Sequence, residues 1–194
     1  MRFSHFLASS CFTVFASMAF ATPVQVISNG GFESGMTGWT SSSSNGIQGG
    51  CDTPWTIGTS GLATGCAGAA PYGNFVNPYA GQRAAYNSFD GDGPQTIKLS
   101  QSFVIPTVVS NATLNWYDAV GLGAGWTFPQ PRQFSVSINV NNQNFVVFNE
   151  GFTNNGAGLF QNWESTTVDV TNVLDDFLGN TATLTFSNYV PQAY

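Results

Sequence analysis

Apolar and polar residues alternate with a period of two through much of this chain, and few folds are compatible with that pattern. The stretch "QFSVSINV" places Phe134, Val136 and Ile138 on one face and serine or asparagine on the other. Side chains two residues apart point to the same face of a strand, so the pattern predicts a half-buried β-strand. The alternation recurs in four more stretches: "TIKLSQSFVI", "ATLNWYDAV", "STTVDV" and "ATLTFSNY".

Strands at short intervals, separated by Gly, Pro and Asn, predict an all-β fold, either an antiparallel sandwich or a barrel. Asn141 and Asn142 suit a hairpin turn leading into "FVVF", because Asn tolerates positive φ. One segment, "TNVLDDFLG", predicts a short helix with Asn172 as its N-cap and Gly179 at its end. Residues 40–80 lack periodicity and are predicted to form long loops, which within one domain commonly carry function.

The first 21 residues are predicted to be a secretory signal peptide. Arg2 precedes an apolar run, and small residues two apart (Ala19, Ala21) favour cleavage after Ala21. The run is shorter than the roughly 20 residues that a membrane-spanning helix needs. Residues 22–194 are therefore predicted to be a single secreted or cell-surface domain with no stable membrane insertion.

The charge balance excludes nucleic acid as a partner. The chain carries 4 basic and 10 acidic residues and a formal net charge of −6. Phosphate binding depends on clustered Lys and Arg, which this chain lacks. The single histidine, His5, falls in the predicted signal peptide. The mature chain would then have no histidine for Ser-His-Asp or Cys-His catalysis or for a histidine-bound metal.

Carboxylate chemistry remains open on composition. A glycosidase needs two acids about 5 Å apart for retention or about 6.5–9.5 Å apart for inversion. The candidate acids are Asp90, Asp92, Asp118, Glu150 and Glu164. Nothing in the sequence brings two of them together, so isolated surface acids are the favoured interpretation.

The mature chain would contain two cysteines, Cys51 and Cys66, because Cys11 lies in the signal peptide. In an exported chain an isolated pair favours a disulfide, here closing the Gly-rich segment between them. Two unpaired thiols are the alternative.

Aromatic residues in the predicted loops are the clearest candidates for ligand binding. The C–H face of a sugar packs on an indole or phenol ring, while its hydroxyls pair with Asn, Gln or Arg. Aromatics that cover the ends of the core are the alternative. The candidate ligand-binding residues are Trp126, Phe128, Arg132, Tyr72, Tyr79 and Trp55.

The stretch "NGGFESGMTGW" (Asn29 to Trp39) predicts a shaped corner, because Phe32 and Trp39 would anchor a glycine-rich bend. It resembles the first corner of galactose-binding-like jelly-roll domains, which include carbohydrate-binding modules. The resemblance continues in "GQRAAYNSFDGDGPQTIKLSQSFVIP" and "NWESTTVDVTNVLDDFLGNTATLTF" and covers most of residues 24–190. It implies an antiparallel jelly-roll β-sandwich with one short helix, and it assigns Trp39 and Trp163 to the scaffold.

The same resemblance implies a structural calcium ion, because the corner glutamate of such domains often helps to bind one. Glu33 holds that position here, and a solvated turn residue is the alternative. The stretch "DGDG" (Asp90 to Gly93) is interpreted first as a tight turn and second as part of a calcium loop through Asp90 and Asp92.

The signal peptide and "SFDGDGP" also look like those of exported bacterial proteins with a Pro-Glu-Pro sorting tail. The family usually adds a closing strand after a segment like "SNYVPQAY". The expectation is therefore either a truncated sequence or a member that lacks this strand and, with it, both the full calcium site and the sorting-tail anchor.

These features predict a non-catalytic extracellular module that binds a polysaccharide or other glycan. Two alternatives remain open. One is a structural surface or biofilm-matrix protein without a small ligand, and the other is a glycan-degrading enzyme.

Overall fold

The computed structural model describes residues 23–45, 53–59, 77–88, 94–122, 127 and 130–191. Among these residues, no helix is long and apolar enough to cross a membrane. The elements are β1 (Thr40–Ser43), β2 (Thr53–Thr59), β3 (Arg83–Ser88), β4 (Gln95–Val104), β5 (Thr113–Leu122), β6 (Arg132–Val140), β7 (Gln143–Phe152), β8 (Leu159–Asp169), α1 (Thr171–Asp175) and β9 (Thr181–Val190).

The strands form two facing layers. One layer is a five-stranded antiparallel sheet in the order β1-β4-β9-β6-β7. The facing layer consists of two antiparallel pairs, β2–β3 and β5–β8. This arrangement confirms the predicted all-β sandwich with one short helix.

The core lies between the layers and follows the alternation that the sequence predicts. Val136, Ile138 and Leu184 are almost completely buried, while Ser135, Ser137 and Thr185 face outward on the same strands. From the facing layer, Trp116 packs edge-on against Phe148, with ring centroids 5.2 Å apart. Trp116 is therefore a core residue, as the alternation predicts.

Helix α1 closes one end of the sandwich. Leu174 is buried, and the ring of Phe177, just after the helix, lies 5.7 Å from that of Phe145. The predicted cap at Asn172 is wrong, because the helix starts earlier, with Val170 as N-cap. Asp169, the last residue of β8, accepts the backbone N–H of Thr171 at 2.8 Å instead. Hydrogen bonds from the Thr171 hydroxyl and N–H lower the pKa of Asp169.

The prediction of unbroken loop over residues 40–80 is wrong in two places. β1 pairs with β4, and β2 pairs with β3. β1 is rich in serine and lies at the sheet edge, so its sequence shows no apolar alternation. Only its pairing with β4 identifies this segment as a strand. β2 contains Pro54 and Gly58, residues that weaken a strand signal.

The segment from Asn29 to Trp39 is a shaped corner, as predicted. Asn29 adopts a positive φ of 49°, and its side-chain amide donates to the carbonyls of Gly35 (2.8 Å) and Thr37 (3.0 Å). Its Oδ1 accepts the backbone N–H of Ser34 at 3.1 Å. One asparagine side chain thus adds three hydrogen bonds to the backbone turns of this irregular segment.

Trp39 anchors the corner to the core. Its ring lies 5.4 Å from that of Phe32 and 6.1 Å from that of Phe186 on β9. Its indole Nε1 donates to the carbonyl of Asn29 at 3.2 Å. The side chain is only 8% exposed, which confirms that Trp39 belongs to the scaffold.

Candidate functional site

The outer face of the β5–β8 pair carries exposed aromatic rings. Trp116 points inward on β5, so Tyr117 points outward, where it is 44% exposed. Tyr79, in the segment just before β3, lies flat against Tyr117, with ring centroids 3.6 Å apart and an interplanar angle of 14°. Tyr79 is itself 54% exposed, so one face of its ring is open to solvent.

Trp163 on β8 completes this group. The β5–β8 register shifts between Asp118 and Val120, so β8 has an extra residue beside Trp163. Such bulges redirect side chains. Trp163 meets Tyr79 edge-on at 6.4 Å, and its Nε1 donates to the carbonyl of Asn77 at 2.7 Å. Tyr79, Tyr117 and Trp163 are called the aromatic platform below.

Neutral polar groups border the aromatic platform. Ser165 lies directly opposite Tyr117, and the next pair along is Asn115 and Thr167. The Thr167 hydroxyl donates to Asn115 Oδ1 at 2.7 Å. This hydrogen bond fixes the orientation of the Asn115 side-chain amide, including its N–H groups. A hydrogen bond with Tyr117, followed by charge repulsion from it and burial, raises the pKa of Tyr79. The Tyr79 phenol is therefore neutral at physiological pH.

Glu33 holds the segment that carries Tyr79. Its Oε1 accepts the backbone N–H groups of Gln82 at 2.9 Å and Arg83 at 3.2 Å. Gly81 adopts a φ of +70°, and a Cβ at this position would collide with Glu33 Oε1. The corner and the Tyr79 segment are thus joined by one carboxylate, in a space that glycine keeps open.

This geometry limits how a calcium ion would fit at Glu33. The backbone N–H groups of Gln82 and Arg83 already donate to Oε1, so this oxygen holds the segment that carries Tyr79. A calcium ion would have to use the second carboxylate oxygen together with other oxygen ligands. Among the described residues, no three His, Cys, Asp or Glu side chains are grouped to hold a metal. Calcium at Glu33 stays a prediction.

Glu33→Ala is expected to lower the free energy of unfolding by about 1–3 kcal/mol, because two backbone N–H groups lose their acceptor. Glu33→Gln keeps an acceptor oxygen and should cost less. Urea unfolding measures both, with and without calcium. Equal losses of unfolding free energy for the two variants would contradict the role of Glu33 as a hydrogen-bond acceptor. A stabilisation by calcium that both variants lose would support the ion.

Three acids influence one another electrostatically towards the end of the sandwich opposite α1. Asp118 and Glu164 are cross-strand partners on the inner face of the β5–β8 pair, and Glu150 points inward from β7. Burial is the main cause that raises the pKa of Asp118, and the charge of Glu164 raises it further. The hydrogen bond from Trp116 Nε1, at 2.8 Å, opposes this by lowering the pKa. Burial, and then Asp118 and Glu164, raises the pKa of Glu150. The favoured interpretation of isolated surface acids does not hold for these three.

Glu164→Gln is expected to stabilise the protein by about 0.5 kcal/mol at neutral pH, the scale of exposed charge pairs. The pKa values of Asp118 and Glu150 are raised in the folded protein, so these two groups stabilise the fold below about pH 4. This contribution is lost as the pH rises through their pKa values in the folded protein. The gain should therefore vanish near pH 3, where Asp118 and Glu150 are protonated and no longer repel a charge at position 164. Urea unfolding at both pH values tests this. A gain that persists in acid would contradict the electrostatic cause.

Two other candidate ligand-binding residues lie away from the aromatic platform. Trp55 lies on β2 with its ring packed against the core, and its Nε1 is buried without a hydrogen-bond partner in the described structure. Arg132 starts β6 on the inward-facing side, towards the end where the three acids lie. The remaining predicted residues lie outside the described residues: Trp126, Phe128, Tyr72, Asp90, Asp92, Cys51 and Cys66. The disulfide and the other calcium ligands therefore stay predictions.

Sequence reasoning missed two members of the aromatic platform. Tyr117 directly follows a core residue in a clear strand, so alternation alone could have identified it as an outward-facing aromatic. Trp163 is assigned to the scaffold by resemblance, yet it contacts Tyr79 on the outer surface. The bulge that places it there depends on pairing with β5 and leaves no pattern in the β8 sequence.

No family model and no curated protein matches the sequence. The carbohydrate-binding module TmCBM61, solved in complex with β-1,4-galactotriose, is 13% identical. It superposes with a TM-score of 0.51 over 88% of this chain and 91% of its own. The two proteins share a jelly-roll β-sandwich fold. This confirms the predicted jelly-roll fold, and at such low identity the likeness concerns the fold alone.

Two further solved structures match with lower TM-scores. The non-crystalline-cellulose-specific module CBM28 is 16% identical, with a TM-score of 0.43 over 86% of this chain and 87% of its own. The Stig cyclase Fisc from Fischerella sp. TAU, in complex with an indole compound, is 19% identical. Its TM-score is 0.44 over 84% of this chain and 86% of its own.

Proposed function

We propose that this protein binds neutral polysaccharide on the aromatic platform and does not cleave it. The observation that carries the proposal is the flat pairing of Tyr79 on Tyr117, with the outer face of Tyr79 open to solvent. A pyranose ring presents an apolar C–H face that packs on such a phenol. Tyr117 and Trp163 hold the Tyr79 ring from below and from the side, so little side-chain entropy is lost on binding.

The border of the aromatic platform supports a neutral ligand. Asn115, Ser165 and Thr167 offer hydroxyl and amide groups, which pair with sugar hydroxyls. No Lys or Arg lies among them to attract an anionic sugar, and the whole chain has a net charge of −6. An acidic polysaccharide is therefore expected to bind poorly.

The placement of the acids supports binding without cleavage. Asp118 and Glu164 lie on the inner face of β5–β8, whereas the platform lies on the outer face. A sugar stacked on Tyr79 is separated from both carboxylates by the strand pair itself. Glycoside hydrolysis requires two carboxyl groups on either side of the scissile bond, so this arrangement does not favour it.

The fold adds a first candidate for the ligand. TmCBM61 was solved with β-1,4-galactotriose, so a β-1,4-galactan is the first neutral polysaccharide to test. The predicted signal peptide would bring the protein to extracellular or cell-surface glycans. A single exposed ring makes a weak site, which repeated sugar units and display in many copies would strengthen.

Affinity electrophoresis tests the proposal. Native gels would contain soluble β-1,4-galactan, a soluble β-glucan or polygalacturonate, and bovine albumin would serve as the non-binding reference. We expect retarded migration in at least one neutral polysaccharide and none in polygalacturonate. Unchanged migration in every neutral gel would refute the function. Release of new reducing ends from a bound polysaccharide would instead support the glycan-degrading alternative.

A further inference from the structure

β7 forms an edge of the five-stranded sheet and is unusually open. It is ten residues long and pairs with β6 on one side, and in the described part of the chain no strand pairs with its other side. From Gln143 to Asn149 it contains neither a charged residue nor a proline. Natural proteins usually guard such an edge with Lys, Pro or a short strand. The opposite edge, β1, is only four residues long.

The central sequence of β7 is self-complementary. Residues 144–149 read "NFVVFN", which is the same in both directions. In an antiparallel pair related by a two-fold axis between Val146 and Val147, every residue of this segment meets a residue of the same type on a second copy. Asn144 meets Asn149, Phe145 meets Phe148, and Val146 meets Val147.

A bulge makes this register compatible with the faces of the sheet for the pairs on either side of the central Val146 and Val147. In a regular strand the register would place inward residues opposite outward ones, because residues 146 and 147 point in opposite directions. Here Val136 on β6 pairs with Phe148 and Ser137 pairs with Val146, so Val147 is an extra residue. The alternation therefore shifts by one across the bulge.

The shift brings like faces together on both sides of the bulge. Phe145 and Phe148 both point inward, whereas Asn144 and Asn149 both point outward. One pair further out, inward-facing Gln143 would meet Glu150 of a second copy, so no like charges face each other.

We propose that β7 is a homodimer interface at which two copies pair their β7 strands antiparallel in this register. The two five-stranded sheets then form one continuous sheet. Val146, which is 60% exposed in the single chain, is covered at the centre of the interface. Because the contact is isologous, each copy uses its own β7 edge once, and assembly stops at the dimer.

Sedimentation velocity over a concentration series tests the interface with Val146→Lys. The lysine adds a charge at the centre of the edge, and we expect the dimer Kd to rise at least tenfold. Asn139→Lys is the matched control, because Asn139 is exposed on the same outer face but lies on β6. Both variants should keep the far-UV circular dichroism of the wild type. A wild type that stays monomeric up to about 1 mM, or that grows into open-ended polymers, would overturn the proposal.

Disulfide trapping tests the register. Directly opposite residues of antiparallel strands have Cα atoms about 4.5–5.5 Å apart, which lies within the range of Cα separations in disulfides. The double variant Asn144→Cys/Asn149→Cys should crosslink into dimers on oxidation. Each single variant should not exceed the wild-type background set by Cys51 and Cys66, because residue 144 does not meet itself. Equal crosslinking of a single variant would contradict this register.

Discussion

Tyr79→Ala is expected to weaken polysaccharide binding about tenfold to hundredfold, without unfolding the protein. Such a loss corresponds to about 1.4–2.8 kcal/mol, the range of a central aromatic anchor. The residue is more than half exposed, so its truncation removes the stacking surface and little of the core. Tyr79→Phe keeps the ring and loses only the hydrogen bond to Tyr117, so it should retain most of the affinity. Isothermal titration with the polysaccharide retained in the gel assay measures all three proteins.

Tyr189→Ala is the matched control. Tyr189 is also an exposed tyrosine on a strand, 37% exposed, but it lies on the outer face of the five-stranded sheet, on the other side of the molecule. Its removal should leave the affinity unchanged. If Tyr79→Ala binds as tightly as the wild type, the aromatic platform is not the site. If Tyr189→Ala loses as much, the loss is not specific to the platform.

Trp39→Ala is expected to lower the free energy of unfolding by about 3–5 kcal/mol. The substitution empties the space between Phe32 and Phe186 and removes the hydrogen bond from Nε1 to the Asn29 carbonyl. Trp39→Phe fills much of that space but leaves the carbonyl without its donor, so it should cost less. Guanidinium unfolding followed by far-UV circular dichroism gives these differences.

Val108→Ala is the comparison for Trp39→Ala, because Val108 is an apolar residue that is 78% exposed. It should change the unfolding free energy by less than about 0.5 kcal/mol. A Trp39→Ala protein as stable as the Val108→Ala protein would show that the corner does not contribute to the core. The Trp39 variant should also bind polysaccharide less well, because the same corner positions Glu33 and, through it, the Tyr79 segment.

The strands that face the core were predictable because their signal is local. A residue two positions along a strand returns to the same face whatever the partner strand is, so Val136, Ile138 and Leu184 are identifiable as core from their neighbours alone. The positive φ of Asn141 and Asn142 is likewise a property of the residue type and its turn. β1 and β2 were missed, because β1 has no apolar alternation and β2 contains Pro54 and Gly58.

The candidate site was only partly predictable. Tyr79 was identified as an aromatic outside the alternating strands, but its stacking partner lies 38 residues away on β5. Trp163 reaches the same surface through a bulge in β8. The acids Asp118, Glu150 and Glu164 come from three different strands, so no spacing along the chain brings them together.

The order of residues alone was enough to establish an acidic, all-β chain with a shaped corner at Asn29, since composition, alternation and turn chemistry act over a few positions. Strand order, the bulges in β7 and β8 and the pairing of Tyr79 with Tyr117 required the folded molecule. They depend on contacts between distant segments, and a shift of one residue in register moves a side chain from one face of a sheet to the other.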